Sequence, residues 1–337
     1  MKPADREPFP AAGSVRERLR FLVRYAVQAP SGHNTQPWKF VIGNDRLELR
    51  ADRSRALPVV DPRDRELTIS CGAALEHLVI AARHFGLATD VSALPGSDPD
   101  LLAVLRISGA QRARAADASM FDAMSLRHTS RARFADRPVP ARLCAAASRY
   151  AAQHGIEMLQ VVAESEREAL AELVAEGDRL QFEDPRFRDE LAAWIHSRRA
   201  ATGDGLSGRG FGVPDRLSVL GALLVRHLDL GAGVAQVDVE KVLHASPVLA
   251  ALVSRHDEPA DWLATGRALS GVLLTLAAAG VSAGFLNQPV EEPELRSQLA
   301  DVLGTDGWPQ LLLRAGFGPR VRASARRPLG EVIVDDS

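Results

Sequence analysis

APSGHNTQPWKF, residues 29–40, joins an apolar helical pattern to a strand through a polar elbow. Pro30 stops the pattern before it, because proline lacks an amide donor and restricts the residue ahead of it. Ser31, Gly32, His33, Asn34 and Gln36 then offer hydrogen-bonding groups on a flexible backbone, and Pro37 and Trp38 close the turn. The stretch is too polar for a core, so it must hold something.

Working outward, Ser14 with Glu17 spells a capping box, and Val15, Leu19, Leu22 and Ala26 recur at helical spacing up to the elbow. After it, WKFVI and RLELRAD flank Gly43-Asn44-Asp45, which predicts a β-hairpin. Leu67, Cys71, Ala74, Leu78, Ala81 and Phe85 form the stripe of a second helix, stopped at Gly86. LLAVLRIS (101–108) reads as a strand and 109–118 as a connector. A second unit opens at SLRHTSRARFADRPVP, followed by a helix (CAAASRYAAQHG), a strand at 156–162 and helices at 164–182 and 188–200. A strand or helix around 247–254, a long helix from Asp261 to Ala279 ended by Gly280, and strands at VSAGFL and 311–318 complete it. The glycine-dense stretch 198–216 reads as a long mobile loop.

The bulk numbers bound the function. The chain has 337 residues, 46% apolar and 25% charged, enough for one large domain or two moderate ones. A net charge of −2 gives no broad attraction to nucleic acid or an anionic membrane. Lysine occurs only at Lys2, Lys39 and Lys241, so an anion site here would use forked guanidinium donors. Cys71 and Cys144 are isolated and read as reduced, buried residues of a cytoplasmic protein. MKPADREPFPAAG lacks the apolar core of a signal peptide. The uncharged run between Arg267 and Glu291 is long enough to span a bilayer. Its Ala, Gly and Ser content, the polar NQP that follows, and the lack of a positive cluster to mark an orientation favour a buried helix and strand instead.

Several constellations suggest chemistry. RHTSRAR (127–133) packs three arginines, a histidine and two hydroxyls into seven residues, which suits a phosphate as well as it suits a solvated basic loop. Arg326-Arg327 carries the same ambiguity. Asn287-Gln288-Pro289 follows an apolar strand, where carboxamides can read a heterocycle's edge or merely open a turn. His77 and His84 have no third ligand at a matching spacing, so no metal site is expected. No GxSxG sits at a strand-to-helix elbow, and GLSGRGFG (205–212) is not set between a strand and a helix, so neither a serine hydrolase nor a Rossmann domain is supported.

Taken in order, four segments resemble the nitroreductase-like family of FMN-binding flavoproteins, closest to its Acg-type branch. They are APSGHNTQPW, RHTSR with the following F and DRPVP, GVSAGFLNQPVE, and LLLRAGFG with ARRPLGEVI. Together they run along nearly the whole chain. The resemblance implies an α+β protein with a nitroreductase-like fold: two related halves, 1–115 and 116–337, each a mixed sheet flanked by helices. In the ordinary family the basic opening and the elbow belong to one repeat, and two subunits share each flavin. Here the elbow is in the first half and the basic opening in the second, as in a covalently linked pseudo-dimer that kept one site. The chain is thus expected to act as a monomer.

Carried over onto this sequence, the resemblance places Arg127, His128, Thr129 and Arg131 at the FMN phosphate, with Arg326 or Arg327 closing on it. Pro30, Ser31, Gly32 and Asn34 would line the ribityl chain and ring from the other half, and Leu286, Asn287 and Gln288 would run beside the ring. The family often has an acidic residue near the position of Asn287; none stands there. The implied activity is hydride transfer from NAD(P)H to nitroaromatic or quinone acceptors through bound FMN. The rival is an FMN-sequestering or storage protein whose lid, 198–216, stays closed.

Overall fold

A computed structural model describes residues 8–112, 115–196, 202–207, 218–319 and 321–336. In chain order the first part comprises α1 (Val15–Ala26), β1 (Trp38–Ile42), β2 (Arg46–Ala51), α2 (Arg65–His84), β3 (Leu87–Ala93), β4 (Leu101–Ala110) and α3 (Ala115–Ala123). The second comprises α4 (Ala141–Ala152), β5 (Glu157–Gln160), α5 (Glu164–Glu183), α6 (Pro185–Ala193), and two short strands, β6 (Ile195–His196) and β7 (Leu206–Ser207). It continues with α7 (Ser218–His227), α8 (Gly231–His244), β8 (Val248–Ser254), α9 (Pro259–Ala278), β9 (Ser282–Phe285) and α10 (Gln288–Glu291). Last come α11 (Pro293–Leu303), β10 (Trp308–Gly316), α12 (Leu329–Val332) and β11 (Ile333–Asp335).

Local signals explain the first elements. Ser14 and Glu17 form the reciprocal capping box that starts α1. In the hairpin, Trp38, Phe40 and Ile42 alternate inward against Leu47 and Leu49, all fully buried. Burying each such side chain contributes about 1.5–3 kcal/mol. The 109–118 stretch expected as a connector instead finishes β4 and starts α3. The apolar run at 247–254 is the fully buried strand β8.

Two sheets share one strand order. The first runs β11-β1-β2-β4-β3 and the second β5-β8-β10-β9, so both place their strands first, second, fourth, third. In both, a helix (α1 or α4) precedes the first strand and a long helix (α2 or α9) precedes the third. Helices α5 to α8 lie between the first and second strands of the second sheet, with no counterpart in the first. The parallel pairing of β11 with β1 makes the first sheet mixed. The four strands of the second are antiparallel throughout, and its parallel contact is a single bridge from Thr129 to Ala283 of β9.

The halves meet along α2 and α9. A Cβ on Gly72 would strike Leu263 O, and one on Gly266 would strike Ile69 O, so the backbones touch where side chains would hold them apart. Polar groups fix this contact: Ser270 Oγ donates to Ala73 O at 2.9 Å, and Arg267 Nε donates to Glu76 Oε2 at 2.7 Å. The chain's end also crosses over, since β11 completes the sheet of the first half. Among the described residues, no helix is long and apolar enough to cross a membrane. The run after Arg267 is instead the core of α9 followed by β9.

Candidate functional site

The elbow is built under strain. His33, Asn34 and Gln36 all have positive φ, at 47°, 56° and 53°. Left-handed backbone disfavours residues with a Cβ, by roughly 1 kcal/mol or more each, and persists where surroundings enforce it. Ser31 Oγ accepts from Gln36 N at 3.0 Å, and Gly32 N donates to Ser70 Oγ of α2 at 3.4 Å. Two other segments then lock onto it. Asn34 Nδ2 donates to Gly205 O at 3.1 Å, and Gln36 Nε2 donates to Gly203 O at 2.9 Å. From the tail, Arg327 N donates to Gln36 Oε1 at 2.9 Å.

The basic opening arrives at the same place from the other half. Ser130 N donates to Ala283 O at 2.8 Å, and Gly284 leaves room for Ser130 O, which a Cβ there would strike. Arg314, buried in β10, donates to Ser130 O at 3.2 Å and Ala132 O at 2.8 Å, and lies 4.4 Å over the Phe134 ring. The loop is therefore laid along the edge strand and clamped from below.

Two guanidiniums face each other across the elbow. Arg127 Nη2 donates to Gln28 O at 3.1 Å, and Arg326 Nη2 donates to the same carbonyl at 3.1 Å. Arg326 Nη1 reaches Asn34 Oδ1 at 3.1 Å. Among the described residues neither arginine has an ion pair, and the Nε of each is buried without a partner. Burial and then Arg326 lower the Arg127 pKa to about 9, and burial lowers that of Arg326 to about 10. Neighbouring histidines stay neutral: burial and Arg127 hold His77 near 3, while burial, Arg127 and Arg326 hold His128 near 4. Two positive charges sharing one carbonyl, one buried and one half-buried, with spare donors and no acid among the described residues, match a phosphate's charge and oxygens.

Arg131 belongs to this face. Burial and Arg131 lower His33 to about 4, so the opening and the elbow are within electrostatic reach of each other. Arg131 keeps accessible surface and His33 is half-buried, yet both are desolvated. These observations agree if that surface faces a recess inside the molecule rather than bulk solvent. A cavity of 330 Å³ opens beside the loop, lined by Arg127, His128, Thr129, Leu273, Ala283 and Phe285 among others. Pro30, Ser31, Gly32 and Asn34 do not line it.

The strand end divides its residues. Asn287 Nδ2 donates to Glu66 Oε1 at 3.1 Å, and its Oδ1 accepts from Leu312 N at 3.0 Å. Glu66 Oε2 would lie 3.6 Å from a Cβ on Gly32, so this carboxyl stands between the elbow and the strand end. An acid of α2 thus stands beside Asn287. Gln288 turns instead toward Asp178 and Asp238, at 2.9 and 3.0 Å. The Leu286 side chain is core. Arg327 is buried against Gln36 O and Asp52, a bracing position, whereas Arg326 shares Gln28 O with Arg127.

Sequence reasoning missed Glu66, His77 and Arg314. Arg314 did carry a signal, a lone charge inside the apolar run LLLRAGFG; Glu66 read as an ordinary polar position of a helix, and His77 was weighed only as a metal ligand. Of the loop 198–216, positions 198–201 and 208–216 lie outside the described residues; Gly203 to Gly205 rest on the elbow as above. Among the described residues no cluster of His, Cys, Asp and Glu could hold a metal ion.

No family model matches the chain. A Mycobacterium tuberculosis protein named "Putative NAD(P)H nitroreductase" is 32% identical over 327 residues, covering 94% of this chain and 91% of the relative. "Putative NAD(P)H nitroreductase acg" of the same organism is 28% identical, covering 93% and 94%. Among solved structures, the FMN-dependent nitroreductase NfnB of Mycobacterium smegmatis in complex with NADPH aligns with a TM-score of 0.42 at 16% identity, over 64% of this chain and 96% of that one. With about a third of its residues identical to the first relative over nearly its whole length, the chain belongs to the nitroreductase-like family, in its Acg-type branch.

Proposed function

We propose that this protein binds one FMN between its halves and passes hydride from NAD(P)H to nitroaromatic or quinone acceptors. The observation that carries the reading is the pair Arg127, buried, and Arg326, half-buried, unpaired by acids among the described residues and joined to the elbow through Gln28 and Asn34. In this reading both guanidiniums and Thr129 hold the phosphate, and neutral His128 adds hydrogen bonding rather than charge. Arg131, on the same opening, adds a further guanidinium on the phosphate side, and Pro30, Ser31, Gly32 and Asn34 enclose the ribityl chain from the first half. Asn287, its amide fixed by Leu312 N and Glu66, presents an oriented group at the ring edge. Bound flavin supplies the two-electron hydride chemistry; the protein binds, orients and tunes it.

The relatives' names, which specify NAD(P)H nitroreductases, support the donor and reaction class. The reading treats residues 1–115 and 116–337 as the two halves, and the chain as a cytoplasmic monomer that serves as its own dimer. The test is an absorption spectrum of the purified protein before and after NAD(P)H without oxygen. Flavin bands that bleach support the proposal, and bound flavin that no nicotinamide reduces defeats it.

One observation favours a second reading, FMN storage. Gly203 and Gly205 bond the elbow directly, and Asp204 between them pairs with Arg55, so this part of the glycine-dense loop covers the proposed ribityl wall. Deleting residues 203–212 discriminates: turnover that appears or rises supports a closed cover, and unchanged turnover removes the storage reading.

A further inference from the structure

We propose that Glu66 is a positioning residue for the ring edge: reaching across from the first half, it holds the Asn287 carboxamide so that an N–H, not a carbonyl, is turned to the flavin; this rests on the flavin reading of that site.

Glu66, in the first turn of α2, uses one oxygen twice. Its Oε1 accepts from Asn287 Nδ2 at 3.1 Å and from Arg65 Nη2 at 3.2 Å. Oε2 faces the elbow, 3.6 Å from where a Gly32 Cβ would stand. The carboxyl is held in place because Arg65 is itself tied to β10 of the other half. Arg65 Nη1 donates to Gln310 O and, at 3.3 Å, to Gln310 Oε1. Gln310 Nε2 donates in turn to Ser254 Oγ at 2.7 Å and to Asp257 Oδ1 at 3.0 Å. Arg65, Glu66 and Gln310 are all buried, so these hydrogen bonds are made away from bulk water, where a missing partner is costly.

This string of bonds decides which way the carboxamide faces. Asn287 Oδ1 accepts from Leu312 N at 3.0 Å. Turning the amide over would set Oδ1 against the Glu66 carboxyl and Nδ2 against the Leu312 N–H, acceptor facing acceptor and donor facing donor. One Nδ2 hydrogen is taken by Glu66, and the other has no partner among the described residues. Asn287 is only half-buried, as an approaching ligand requires. A flavin's edge offers acceptors at N5 and the C4 carbonyl. A donor fixed there in advance favours the electron-rich reduced ring.

The test has two arms, and the first needs no flavin. Glu66→Met keeps the volume but removes both charge and acceptor, whereas Glu66→Gln removes the charge and keeps a carbonyl in the place of Oε1. In flavin-free, isotope-labelled protein, the Asn287 side-chain amide should exchange with deuterated water roughly tenfold faster in Glu66→Met and near the wild-type rate in Glu66→Gln. Wild-type exchange in Glu66→Met overturns the hold on Asn287. In the second arm the proteins are loaded with FMN. Glu66→Met and Asn287→Ala should each lower the flavin's midpoint potential. Each should also slow its reduction at saturating NAD(P)H roughly tenfold, with the nicotinamide dissociation constant unchanged. Glu66→Gln should show neither loss, and Glu66→Met added to Asn287→Ala should change nothing further. Equal losses in Glu66→Met and Glu66→Gln would make charge the cause and overturn the proposal, as would additive losses in the double variant. If Glu66→Met does not fold, Asn287→Ala decides, since a wild-type potential there overturns the ring-edge role. Wild type that takes up no flavin defeats the flavin reading and that role with it, while the first arm still reads the contact.

Discussion

Arg326 Nη1 donates to Asn34 Oδ1 at 3.1 Å, across 292 residues of sequence. The bond closes the molecule on itself, bringing the basic tail to an elbow near the other terminus. The same guanidinium shares Gln28 O with Arg127, so two cations that repel each other are held at one carbonyl. Such an arrangement is stable when something anionic sits between them.

Arg127→Ala, Arg326→Ala and Arg131→Ala should each weaken FMN binding by about 1.5–3 kcal/mol, the range for a hydrogen bond to a charged group. Fluorescence titration of flavin-free protein measures this directly. Arg327→Ala should act differently, by destabilising the fold, because its guanidinium braces Gln36 and Asp52. Full flavin occupancy in all of the first three variants would remove the phosphate assignment.

Much of the fold was legible because its signals are local. The capping box at Ser14, the Gly43-Asn44-Asp45 turn and the stripe of α2 each depend on neighbours within a few residues. β11 and the order of the sheets were not legible, since pairing Phe40 with Ile333 is settled by tertiary packing alone. Within the site, the elbow and RHTSRAR stood out as polar stretches in apolar surroundings. Glu66 did not, because a charge in the first turn of a helix is ordinary; only the approach of Asn287 from the other half gives it meaning. Gln288 is the converse: a carboxamide that stood out at a strand end, whose Nε2 donates to Asp178 and Asp238.

The same pair sets a pH limit on binding. Arg127 titrates near 9 when nothing offsets its burial, so above that pH it loses the charge a phosphate needs. Flavin affinity should fall as pH rises past about 9, measured by titration at each pH. Flavin-free protein should show the opposite trend in this contribution. A base whose folded pKa is depressed gains stability as pH climbs from the folded value toward the ordinary 12.5. Affinity that is flat across that window would place the phosphate away from Arg127.

The joint between the halves should tolerate little. Gly266→Ala puts a methyl group into Ile69 O and Gly72, where backbone rather than a flexible side chain must yield. Overpacking a tight contact costs about 1–3 kcal/mol, and more where the obstacle cannot move. We expect a lower urea midpoint and, because α2 carries Glu66 and Ser70 beneath the elbow, weaker flavin retention. Gly280→Ala, at the free end of α9 with nothing near its Cβ, separates crowding from backbone conformation: its φ of 75° predicts a loss of only about 1 kcal/mol. Equal losses at the two positions would mean that the α2–α9 contact is looser than the backbone distances indicate.

Gln36 joins three segments with one side chain. Its Oε1 accepts from Arg327 N, its Nε2 donates to Gly203 O, and it is fully buried with φ of 53°. Gln36→Ala leaves the buried Arg327 amide and the half-buried Gly203 carbonyl without this partner, at about 1–3 kcal/mol for the amide and less for the carbonyl. Gln36→Gly removes the same bonds but relieves the left-handed backbone, so it should be the less destabilised of the two, by roughly 1 kcal/mol. Both variants release Gly203 from the elbow, which should speed proteolytic cleavage nearby and raise the rate at which flavin enters. If cleavage and entry rates stay at wild-type values while stability falls, the contact between Gln36 and Gly203 braces the fold without controlling access, and the cover over the elbow is not what limits exchange.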